Sequence, residues 1–148
     1  MKYFLDTSLI IDILRDRRHI EKLLALGEDS KFFINRLVYL ESLRTIDLEK
    51  AKVFRDSKAL LENFTILDMN QEIYEQAVQF SRYCRSKGLS LKYNKNKENC
   101  TAIDLLHFIT AQYYQLQLLS SDRDLEKLQT TYIDWNHEQQ QPNSHKSR

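Results

Sequence analysis

Short apolar runs separated by longer helical stretches constrain this chain more than any other feature. Residues 2–5, 31–34, 64–67, 117–119 and 131–135 each read as a short strand. Helical sequence lies between them, at 9–14, 19–26, about 36–46, 49–62, about 71–87, 101–115 and 122–128. Strands buried on both faces are apolar throughout rather than alternating, and a strand–helix alternation sets successive strands parallel. The expected fold class is α/β: one three-layer α/β/α domain with a short, mostly parallel central sheet. Ligands of such sheets bind beyond the carboxyl ends of the strands. The residues that close the strands are therefore the first candidates for function.

The chain has 148 residues, which suits one domain. A domain of that size buries about 68–70% of the surface of its unfolded chain, enough for a core without staples. Only two Gly and one Pro are present, so turns must be built from Asn, Asp, Ser and Lys. Asn35 can cap one helix, and Asp68 with Gln71 has capping-box spacing for another, which Gly88 would end. The expected boundaries are a domain over 1–136 and a flexible C-terminal tail over 137–148, which is rich in Gln, Ser and His. Cys84 and Cys100 show no metal or redox spacing and read as reduced thiols. Asp6 and Asp12 interrupt the first apolar stretch, which argues against a signal peptide. Asp104, His107 and Gln112 break the longest apolar run, so no membrane span is expected and the cytoplasm is the expected location.

Four acids stand where the sheet edge should be. Asp6 closes the first strand, and Thr7 and Ser8 follow with hydroxyls that can cap a helix or orient a water. Plain N-capping by Asp6 is the competing explanation. Glu41 lies in a helix with Tyr39, Leu40, Leu43 and Ile46 on one side and Leu37 and Val38 flanking it; its own segment reads it as a solvated helix acid. Asp104 sits in the first turn of the most apolar helix, where Thr101 also gives it capping-box spacing. Asp122 and Asp124 follow "LQLLSS"; Ser121 and Asp124 match a capping box, which leaves Asp122 as the acid at the strand edge. Carboxylates gathered at one edge repel, and some would protonate unless a cation neutralised them. Oxygen donors without Cys or clustered His point to one or two Mg²⁺ or Mn²⁺ ions, which act on phosphates. The net charge is only +1, yet residues 76–97 hold no acid and six bases: Arg82, Arg85, Lys87, Lys92, Lys95 and Lys97. Such a segment is either a solvated helix end and loop or a phosphate-attracting surface.

With these residues in place the chain resembles the PIN-domain family, and within it the VapC-type toxins of bacterial toxin–antitoxin pairs. The resemblance is carried in order by "LDTSLIID", by Glu41 in "NRLVYLESL", by "CTAIDLLHFITAQ" around Asp104 and by "LLSSDRDLEKL" around Asp122. It implies a metal-dependent endoribonuclease, the toxin of a type II pair, hydrolysing RNA phosphodiester bonds with metal-activated water. It implies Asp6, Glu41, Asp104 and Asp122 as the catalytic and metal-holding acids, with Thr7, Ser8, Ser120 and Asp124 in support. A cognate antitoxin and a homodimer are implied as well, and on an RNA substrate Lys92, Lys95 and Lys97 would hold the backbone while Tyr93 stacks on an unpaired base. The chain departs from the pattern in the loop "KYNKNKENC", at Ser120 where Thr is usual, at Leu125 where an aromatic is usual, and at His107 where a small or aliphatic residue is common. His107 reads as a core or supporting histidine rather than a metal ligand.

Other classes fit less well. A receiver-like domain would use Asp68 at the end of the third strand but wants an acidic pair near Asp6, where Thr7 and Ser8 stand. A haloacid-dehalogenase-like phosphatase needs an acid at Ser8. No Gly-rich phosphate loop and no GxSxG occur. The main alternative is a catalytically silent protein of the same fold that acts as a binding partner.

Overall fold

The computed structural model describes residues 1–89, 101–122 and 125–140. In chain order the elements are β1 (Lys2–Leu5), α1 (Thr7–Arg15), α2 (His19–Leu24), β2 (Lys31–Asn35), α3 (Arg36–Leu43), α4 (Ala51–Glu62), β3 (Thr65–Leu67), α5 (Gln71–Ser86), α6 (Ala102–Tyr113), β4 (Gln117–Leu119) and α7 (Leu125–Gln140). The four strands form one parallel sheet in the order β3-β2-β1-β4, with Phe4 opposite both Phe33 and Leu118. The α/β expectation holds, and the sheet is parallel throughout. No helix among the described residues is long and apolar enough to cross a membrane.

The order of the strands fixes where a site can form. From β1 the chain moves to β2 and β3 on one side, then returns to β4 on the other. The connections part between β1 and β4, which leaves a crevice at the carboxyl ends of that pair. Asp6 and Ser120 are the residues that follow those two strands.

Two apolar clusters hold the domain together. One joins β1 and β2 to the helices α1, α3 and α4 through Phe4, Leu5, Ile10, Ile13, Ile34, Val38 and Leu61. The other joins α5, α6 and α7 through Ile73, Phe80, Leu105, Phe108, Ile109 and Leu128. α6 serves both, since seven of its twelve residues are buried and Ala111 belongs to the first cluster. A helix apolar nearly all round can only be central. Cys84 lies in the second cluster, where burial pushes its thiol up to about 11, so it is an inert core residue.

Two expectations are corrected here. Residues 131–135 are not a strand but part of α7. Thr131, Tyr132, Ile133 and Trp135 favour strands locally, yet Leu125, Leu128, Tyr132 and Trp135 recur at helical spacing. Packing decides: Tyr132 and Trp135 meet the Phe80 ring at 5.3 and 5.2 Å between centroids. The hydroxyls of Thr130 and Thr131 donate back to the carbonyls of Glu126 and Lys127, which suits them to the helix. α7 also carries regular structure past residue 136 to Gln140; residues 141–148 lie outside the described ones. Second, α5 is capped by Asn70, whose Oδ1 accepts from the Ile73 amide at 3.0 Å, and not by Asp68. At its far end Gly88 takes φ +79, as a helix-ending glycine should, and the Leu89 amide donates to the Cys84 carbonyl.

The capping box before α6 forms as expected. The Asp104 amide donates to Thr101 Oγ1 at 3.1 Å, and the Thr101 amide donates to Asp104 Oδ2 at 3.0 Å. Replacing Thr101 by Ala is expected to cost about 0.5–2 kcal/mol in chemical denaturation, because a buried helix start loses its acceptor. An unchanged midpoint would show that this cap contributes nothing.

Candidate active site at the β1–β4 crevice

Asp6 ends β1 with its backbone still extended, and its own Oδ1 accepts the Leu9 amide at 3.1 Å to cap α1. The capping explanation is therefore correct, but it does not exhaust the residue. Ser8 Oγ donates to Oδ1 at 2.8 Å, and Ser120 Oγ donates to Oδ2 at 2.5 Å from across the crevice. Ser8 and Ser120 also approach each other at 3.2 Å. Thr7 and Ser8 turn their hydroxyls to carboxylates, and the cap of α1 is Asp6 itself.

Asp6 is only 2% exposed, and its hydrogen-bond partners are two hydroxyls and one amide. Burial raises its pKa above the ordinary carboxylate value; hydrogen bonds from Ser120, Leu9 and Ser8 work the other way without overcoming it. Below the ordinary value of 3.8 both folded and unfolded chains hold the proton. Above it the unfolded chain releases the proton first, so stability from this group falls as pH rises through the raised folded value. Asp6→Asn is therefore expected to melt above the metal-free wild type, by a margin that grows as pH rises from the ordinary carboxylate value of 3.8 towards the raised folded one. A constant margin across that range would contradict the assignment.

Glu41 is neither solvated nor deep. Its side chain is 22% exposed, and its Oε1 accepts from Thr7 Oγ1 at 2.7 Å and lies 2.9 Å from His107 Nε2. The histidine is 1% exposed, stands beside the Phe4 ring, and has Asn35 Nδ2 at 3.1 Å from its Nδ1. The sequence marks Asn35 only as a helix cap, a job it performs through the Val38 amide at 2.8 Å. Its second contact could not be read, because 72 residues separate it from His107.

Asp104 is 8% exposed in the first turn of α6, with one oxygen committed to the capping box. Asp122 follows β4, its amide donating to Ser120 Oγ at 2.9 Å. The loop there is tied to α1: Ser121 Oγ donates to Asp12 Oδ2 at 2.6 Å and the Ser121 amide to Ser8 Oγ at 3.2 Å. The structure thus brings Asp6, Ser8 and Ser120 into one hydrogen-bonded group that reaches the Asp122 amide, and Thr7 joins Glu41 to the same turn. Asp124, Lys92, Tyr93, Lys95 and Lys97 lie outside the described residues. Of the basic segment, Lys87 is paired with Glu138 at 3.3 Å and sits over the Tyr83 ring.

Hard oxygen donors and a buried acid without Lys or Arg among its partners fit Mg²⁺ or Mn²⁺ in chemistry. The described residues do not, however, include three or more acidic, His or Cys side chains already drawn together around a cation position. The donor set suits a hard cation; a closed coordination shell is not preset.

A parallel α/β sheet with carboxylates at its switch point defines a class of α/β domains that bind ligands at that edge. The sequence matches the PIN-domain model over residues 3–130, and the chain belongs to the PIN-domain family. Among solved structures it is similar to the DNA-bound VapBC complex of Salmonella typhimurium, with TM-score 0.70 and 16% identity over 85% of this chain and 91% of that one. It is similar to VapBC-1 of nontypeable Haemophilus influenzae, with TM-score 0.66 and 19% identity over 88% and 94% of the two chains. It is also similar to Mycobacterium tuberculosis VapC20, a sarcin-ricin loop cleaving toxin, with TM-score 0.60 and 15% identity over 85% and 94%. Its structural neighbours are VapC toxins of toxin–antitoxin complexes, at identities that speak to the fold alone. No curated protein sequence matches it.

Proposed function

We propose that this PIN domain is a Mg²⁺- or Mn²⁺-dependent endoribonuclease, the toxin of a type II toxin–antitoxin pair acting in the cytoplasm. The observation that carries the reading is Asp6: a buried carboxylate at the switch point of the sheet, raised by burial, whose side-chain hydrogen bonds among the described residues come from two hydroxyls and an amide. Asp6, Glu41, Asp104 and Asp122 are the residues that would hold one or two cations. When bound, such a cation supplies a nucleophilic water at neutral pH and positive charge against the leaving oxygen. The chain's own work is to keep the acids in place. Ser8 and Ser120 fix both oxygens of Asp6, Thr101 fixes Asp104, and Thr7 fixes Glu41. Asp124 would steady the loop after β4. Lys92, Lys95 and Lys97 would draw in the RNA backbone and Tyr93 would stack on a splayed base.

A cognate antitoxin and a homodimer belong to the same reading. Solved neighbours were crystallised as toxin–antitoxin complexes, two of them with DNA. An apolar hollow of about 500 Å³ between α3 and α4, lined by Leu43, Ile46, Leu48 and Phe54, offers a partner surface; Leu48 is 97% exposed.

The competing reading, a silent PIN domain that only binds a partner, draws on the lack of a preset three-ligand group among the described residues. Titration calorimetry with Mn²⁺ separates the two. The nuclease reading expects uptake by the wild type and its loss in Asp104→Asn at unchanged helicity. A folded wild type that takes up no Mn²⁺ favours the silent protein.

A further inference from the structure

We infer that His107 is the positioning residue for Glu41, accepting from Asn35 at Nδ1 and donating to Glu41 from Nε2. The orientation is dictated by the start of α3. Asn35 Oδ1 accepts the Val38 amide at 2.8 Å, so the other end of the amide is its NH₂ group. That group faces His107 Nδ1 at 3.1 Å. An NH₂ group only donates, so Nδ1 accepts and carries no proton. The ring's proton is then on Nε2, which lies 2.9 Å from Glu41 Oε1 and donates to it. Thr7 Oγ1 donates to the same oxygen at 2.7 Å and lies 3.2 Å from Nε2. Each donor and acceptor in the series is set by the one before it.

The series spans four elements and ends at the surface. Asn35 is fully buried, His107 is 1% exposed, and Glu41 is half-buried. Thr7 is the neighbour of Asp6 in the turn after β1. A histidine that only filled the core would not need to end on a carboxylate at this edge. Buried amide and imidazole have few alternative partners, so the carboxylate they hold has few alternative orientations. Outer partners of this kind fix ligand orientation and affinity in metal sites. The inference rests on the reading of Glu41 as one of the cation-holding acids.

The test is Mn²⁺ affinity by calorimetry for His107→Leu, His107→Gln, Glu41→Gln and the double variant His107→Leu/Glu41→Gln, with thermal unfolding recorded for each. His107→Leu is expected to weaken binding by about tenfold to a hundredfold. His107→Gln should recover most of it, since an amide can accept from Asn35 and donate to Glu41. On the Glu41→Gln background His107→Leu should cost nothing further. Wild-type affinity in His107→Leu, or a full additional loss in the double variant, overturns the inference. Nitrogen NMR of the wild-type imidazole tests it without any variant. A proton on Nε2 that responds to Glu41→Gln supports it; a proton on Nδ1 overturns it. If the wild type takes up no Mn²⁺, the nuclease reading fails and the imidazole spectrum alone decides the role of His107.

Discussion

Asp6→Asn is expected to abolish metal-dependent RNA cleavage while the domain stays folded. Asn caps a helix about as well as Asp, so the Leu9 amide keeps its acceptor. Ser8 Oγ can go on donating to the retained oxygen, and the hydroxyl of Ser120 can rotate to accept from the new NH₂ group, so no buried group is stranded. What is lost is one negative charge at the switch point. Losing a supporting contact in a metal site typically costs about tenfold to a hundredfold, so losing a ligand should cost more than about a hundredfold in kcat/KM. Steady-state cleavage, read beside circular dichroism, checks it. A folded Asp6→Asn variant that cleaves within a factor of about ten of the wild type would remove Asp6 from the reaction.

Phe80→Ala is expected to produce the largest loss of stability. The ring is fully buried and meets Phe108, Tyr132 and Trp135 at 6.0, 5.3 and 5.2 Å. Removing such a side chain costs about 3–5 kcal/mol through lost burial and the cavity left behind. For a domain of this size that lowers the melting temperature by roughly 6–20 °C. The same variant examines the helical assignment of residues 131–135, because two of the three rings come from α7. A loss under about 1 kcal/mol would mean that α7 does not pack on α5 through these rings.

The first four strands were legible because buried parallel strands are short and apolar throughout, and β1 and β4 were located to the residue. The candidate acids were legible because each closes a strand or opens a helix. Residues 131–135 misled because β-branched and aromatic side chains suit a strand locally, while the aromatic contacts that make them helical come from Phe80 and Phe108. Asp68 and Asn70 are both good caps; only the path of the chain into α5 selects the second. Glu41 looked solvated because its protection comes from Thr7 and from His107, the latter 66 residues away. Local pattern cannot report a contact of that separation.

The most direct test of the central claim is cleavage of total RNA by the purified full chain with Mg²⁺ or Mn²⁺, beside the same reaction in EDTA. Discrete RNA fragments are expected with either ion and none in EDTA. Intact RNA from a folded chain shown to have taken up Mn²⁺, or fragments that persist in EDTA, would contradict it.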